Sequence, residues 1–167
     1  RKKEMAYQTA LRSAELKRDM EAICIGVNQA AAAGSSSVAR TTASLSSWIK
    51  TSATFDATSG VNPVYTSLTN NARTDSSATR TWTETLLKAL SQDVWTQGGK
   101  IDTLLVGPSL KVTTSGFDGI ATKTYYQTAA KPAAIIGAAD VYVSDFGVLS
   151  VVPSRFMRSR DAFLLDW

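Results

Sequence analysis

"DVYVSDFGVLSVVPSRFM" occupies residues 140–157 and alternates side-chain character on both sides of a short turn. Period-2 alternation suits a β-strand, because successive side chains leave the pleat on opposite faces. Val141 and Val143 therefore share a face ahead of the turn sequence Asp145-Phe146-Gly147, and Val148, Ser150 and Val152 share one on the return strand. The segment predicts a hairpin whose valine row faces the core, so a charge at Val148 or Val152 is expected to oppose folding. Asp140 and Asp145 are its only carboxylates. They flank a strand and a turn, where aspartates mostly bond their own backbone, and an acid/base pair is the weaker reading of them.

Upstream, "TWTETLLKALSQDVWTQGG" at 81–99 predicts a helix. Thr81 and Glu84 have capping-box spacing, Leu87, Leu90 and Val94 form a stripe, and Gly98-Gly99 supply a left-handed exit. "KIDTLLVGP" at 100–108 reads as a buried strand stopped by Gly107 and Pro108, with Ser109 capping a short helix after it. "TKTYYQT", "AAIIG" and the closing "DAFLLDW" read as further strands.

At the other end, residues 1–32 hold no proline and one glycine and space Leu16, Met20, Ile23 and Val27 along one helical face. Charges fill the rest, with Glu15 and Arg18, and Lys17 and Glu21, spaced to meet. A helix of this extent would be a rod of about 45 Å, long enough to span the subunit or reach beyond it. Residues 33–81 are dominated by serine and threonine, as a linker would be. They also hold Trp48, Ile49, Phe55, Val61, Val64, Tyr65 and Leu68, which a free linker does not need. An ordered, irregular excursion is expected.

Composition removes several function classes. The chain has 167 residues, 44% of them hydrophobic, a net charge of +4 from 18 basic and 14 acidic residues, and no histidine. One compact core, or one domain with an elaborated insertion, is expected. The charge is modest and unconcentrated for a dedicated nucleic-acid module. Without histidine the commonest general base and zinc ligand are gone, and no cofactor or metal site is expected. The single Cys24 lies between apolar neighbours and reads as a small buried hydrophobe. The longest apolar runs are too short to cross a bilayer. The chain opens on Arg1, which suggests a processed form or a fragment.

Three motifs carry candidate chemistry. Ser47-Trp48-Ile49-Lys50 has the S-x-x-K spacing that sets a lysine amine one helical turn from a nucleophilic serine. Its companion motifs are missing, so a serine–lysine hydrolase using Ser47 and Lys50 is kept only as an alternative. Gly98-Gly99-Lys100 lacks the phosphate-loop frame and leaves a helix where a phosphate site would enter one. Arg155, Arg158 and Arg160 form the one local basic cluster outside the first helix. They are candidate intersubunit contacts, because arginine holds carboxylates and phosphates bidentately. Trp48, Trp82, Trp95 and Trp167 read as packing residues.

The order of elements resembles the major capsid proteins of tailed bacteriophages, the Hong Kong 97-type α+β fold. The resemblance rests on "AYQ" and "ELKRDMEAICIGVN" in the long helix, "LSSWIKT" after it, "VWTQGGKIDTLLVGPSLKVTTSGF" in the middle and "VYVSDFGVLSVVPSRFM…LLD" at the end. It implies a structural protein of the virion and not an enzyme. Residues 1–32 would be the spine helix of a peripheral domain, 33–139 an axial domain with a Ser/Thr-rich insertion, and 140–167 closing strands of the peripheral domain. Copies would meet as pentamers and hexamers in an icosahedral shell around double-stranded DNA, touched non-specifically. Assembly would take place in the host cytoplasm, with a decoration or scaffold protein as a further partner and no membrane. The N-terminal arm and extended loop of the family are expected to be absent from this chain. A nucleic-acid-binding or tail-associated structural module is the remaining alternative.

Overall fold

The computed structural model describes residues 2–55, 59–66, 69–117 and 140–166. The strands expected at "TKTYYQT" and "AAIIG", together with Leu68 and Trp167, lie outside them. The chain divides into two compact units, one formed by residues 1–80 with 156–158, the other by 81–155 with 159–167. Both helices and a mixed sheet are present, an α+β protein.

The first unit opens with helix α1, Lys2–Glu21. Its final part, Ala22–Gly26, widens into a π-type turn before Val27 turns extended at φ −124°. The helix expected over 1–32 thus stops at Gly26. Steric contact explains the stop: a Cβ on Gly26 would lie 2.6 Å from the Phe156 carbonyl oxygen, so only glycine lets that segment approach. Gly26→Ala is expected to cost about 1–3 kcal/mol by overpacking against backbone. Its signature is faster amide exchange across 156–158, and unchanged exchange there would contradict the close approach.

Nearly every residue of α1 is exposed, including Leu16 at 61% and Met20 at 58%. Glu15 pairs with Arg12 at 2.7 Å rather than with Arg18. Cys24 is exposed, not buried as its neighbours suggested, because α1 and its last turn carry no layer over that side.

The Ser/Thr-rich segment is ordered around a polar core. Helix α2, Leu45–Trp48, and the two-stranded β1 (Tyr65–Thr66) and β2 (Thr69–Asn70) frame it. Ser44, Ser46, Ser47 and Asn70 are buried. Ser44 bonds the Gln29 backbone in both directions, its N–H to Gln29 O at 3.0 Å and its Oγ from Gln29 N at 3.1 Å. Asn70 Oδ1 accepts from Ala31 N at 2.6 Å and its Nδ2 donates to Ser47 O at 2.9 Å. These side chains replace the ladder partners that an irregular backbone lacks.

The second unit layers two helices on a sheet. Helix α3, Glu84–Thr96, is capped by Thr83, whose side chain accepts from Leu86 N. The expected cap Thr81 lies two residues too early, and "TWT" offers either threonine. Gly98 gives the left-handed exit at φ +87°. Strand β3, Thr103–Val106, runs into α4, Pro108–Ser115. Gly107 is its N-cap in place of Ser109, because Pro108 at the first helical position has the φ a helix start needs and no N–H to satisfy.

Strands β4 (Val141–Ser144), β5 (Gly147–Pro153) and β6 (Ala162–Leu165) complete a sheet of order β4-β5-β3-β6. β3 runs parallel to β5, and the other pairings are antiparallel. The strands within 140–167 therefore share one sheet with β3. Leu104, Val106, Leu149 and Val151 point to the helices, where Leu87 and Ile101 close the core and Val94, Leu110 and Phe117 pack against it. Trp82 Nε1 donates to Thr114 Oγ1 at 2.9 Å, tying the approach to α3 onto α4.

The hairpin forms with its expected turn but with its faces reversed. Tyr142, Leu149 and Val151 turn inward, while Val141, Val143, Val148 and Val152 are exposed. Both rows are apolar, and the helices cover the one carrying Leu149. The core position expected for Val148 and Val152 is therefore corrected.

Candidate interaction surfaces

The S-x-x-K pair is not assembled as a dyad. Ser47 is fully buried in the polar core, with its Oγ 3.3 Å from both Asn28 Oδ1 and Ser44 Oγ. α2 ends at Trp48, and Ile49 is extended at φ −80°, ψ 115°, so no helical turn stacks the exposed Lys50 over Ser47. Asp140 and Asp145 stand at opposite ends of β4, about 17 Å of strand apart. Asp140 instead takes Lys111 Nζ at 2.9 Å. Lys100 follows the Gly98 helix exit and pairs with Asp102 at 3.0 Å.

The arginine cluster is split. Arg158 Nη1 donates to Asp75 Oδ1 at 3.3 Å and Nη2 pairs with the other carboxylate oxygen, a bidentate pair within the first unit. Arg155 and Arg160 belong to the second unit and are exposed.

A polar cluster that sequence spacing did not reveal joins α3 to β4. Tyr142 Oη donates to Glu84 Oε1 at 2.9 Å, and Lys88 Nζ reaches the same oxygen at 2.9 Å. The hydrogen bond from Lys88, and then that from Tyr142, hold the Glu84 carboxyl below its usual range. Burial, reinforced by the Glu84 carboxylate, pushes the Tyr142 phenol up to about 12. The Glu84 contribution is present above pH 4.5 and lost as pH falls through its lowered value. The Tyr142 contribution is present below pH 10.0 and lost as pH rises through about 12. Ultraviolet titration of the chain minus that of Tyr142→Phe should show this midpoint, and Glu84→Gln should lower it. A midpoint near 10 in the intact chain would contradict the contact.

What the geometry does expose is apolar and aromatic. Trp48 is 55% exposed and stacks on Tyr65 at 6.0 Å, and Trp95 is 58% exposed beside Phe146 at 5.7 Å. α1 presents Met5, Leu11, Leu16 and Met20 to solvent, and the hairpin presents four valines. Surfaces of this kind characterise a protein made to be packed against. Among the described residues no helix is long and apolar enough to cross a membrane.

Comparison with known families gives that class a name. The profile of the SU10 major capsid protein family matches residues 1–167, and the chain belongs to that family. It is a phage major capsid protein, a structural component of the virion that assembles with other copies of itself. No curated protein matches the sequence.

Proposed function

We propose that the chain is a Hong Kong 97-type subunit that closes into an icosahedral shell around double-stranded DNA. The family match over the whole chain carries this reading, and the apolar surfaces of α1 and the hairpin support it. Copies meet as pentamers and hexamers, in the host cytoplasm, with α1 as the spine helix. A decoration or scaffold protein is a further partner. DNA contact is non-specific, in keeping with a net charge of only +4. Arg155 and Arg160 reach neighbouring copies directly, and Arg158 contributes by fixing residues 156–158 through Asp75.

Electron microscopy of the expressed full-length protein tests the reading. Uniform closed particles are expected. Open sheets, or particles without a defined diameter, would overturn the shell.

A further inference from the structure

We propose that the outward side of the β4–β5 hairpin is a contact surface for a second copy of this chain. The proposal rests on the reading of the chain as a self-assembling subunit and assigns the surface that does it. Val141, Val143, Val148 and Val152 are 57%, 73%, 56% and 44% exposed. The pairing register makes them one patch. Val143 lies directly opposite Val148, Val141 opposite Ser150, and Val152 beside Leu105 of β3. Ser150 is the one polar side chain between them, and no charge interrupts the row. Phe163, on the same face near the β6 edge, is already buried, so exposure is concentrated on the hairpin half.

The fold does not need this face to be apolar. Its core is built on the other side, against α3 and α4, and an antiparallel hairpin with one solvated face ordinarily carries polar residues there. Among the described residues β4 is also an edge strand, with β5 its partner in the sheet order. Its sequence Val-Tyr-Val-Ser has no lysine or proline to blunt that edge.

The uncharged row excludes a phosphate backbone as occupant, which needs lysine and arginine. A second copy fits better, since assembly with copies of itself is what the family does. The patch amounts to a few hundred Å² at most, below the roughly 800 Å² per partner of a free-standing dimer. A contact of that size holds when it is repeated many times, as in an assembly of identical subunits.

The test uses the full chain with Val143→Asp and Val148→Asp, singly and together. A carboxylate forced into the contact is expected to weaken it by more than about a hundredfold. Particle yield should collapse while the melting temperature of the dilute, unassembled chain stays unchanged. A fall in that melting temperature would show the face covered within the chain, and wild-type assembly by the double variant would show it uncovered in the particle. Either result overturns the proposal. Val148→Cys in a Cys24→Ser background gives a reading independent of shell closure. A benzophenone maleimide attached to that single thiol should link chains on illumination at assembly concentration, whichever surface of the second copy it meets, and the absence of links overturns the contact. Links without closed particles would uphold this surface and sink the icosahedral shell.

Discussion

Leu149→Asp is expected to abolish folding of the sheet-bearing unit, whereas Val148→Asp, one residue earlier, should shift its melting temperature by about 2 °C or less. Leu149 has no exposed surface and packs in the cluster with Leu87, Leu104 and Val151. Losing the leucine alone costs about 2–5 kcal/mol. An unpaired carboxylate in the same apolar space adds several more. The sum approaches the whole stability of a domain, about 5–15 kcal/mol. Val148 is 56% exposed, so its replacement removes no core contact. Thermal melts of the two variants, followed by circular dichroism at a concentration too low for assembly, decide the matter. Equal loss of stability would mean that both faces of the hairpin are covered within the chain.

Asn70→Ala is expected to destabilise the first unit by about 1–3 kcal/mol for the buried Ser47 carbonyl left without a partner, with a smaller share from the half-buried Ala31 N–H. Both groups are served by this one side chain, which is 5% exposed. Asn70→Leu should do no better, since shape is restored without the hydrogen bonds. Asn70→Asp keeps an acceptor for Ala31 but offers Ser47 no donor, and should fall between. Urea unfolding with Trp48 fluorescence as the reporter measures all three. A change below about 0.5 kcal/mol for Asn70→Ala would mean that the polar core is not holding this segment.

The hairpin and α3 were legible because their signals are local. Alternation with a turn specifies paired strands, and the Leu87 stripe with a glycine exit specifies a helix. The facing of the hairpin was not local. Valines line one row and Tyr142, Leu149 and Val151 the other, so polarity could not choose, and the choice was made by α3 and α4, far away in sequence. The parallel pairing of β3 with β5 joins residues 47 positions apart for the same reason. The polar core escaped because Ser44, Ser46 and Ser47 look, by composition, like a linker. Their order comes from Asn28 and Asn70, and nothing in their spacing announces it. Cys24 was misread because its neighbours are apolar, yet that turn of helix lies at the surface. The assembly reading was legible only as a resemblance, carried by segment order.

Sedimentation velocity of the full-length protein across a wide concentration range tests the central claim of self-assembly most directly. The expected result is conversion of the slow subunit boundary into one fast, narrow boundary above a threshold concentration, as repeated weak contacts close together. A subunit that stays monomeric at every concentration and under every assembly condition would contradict it.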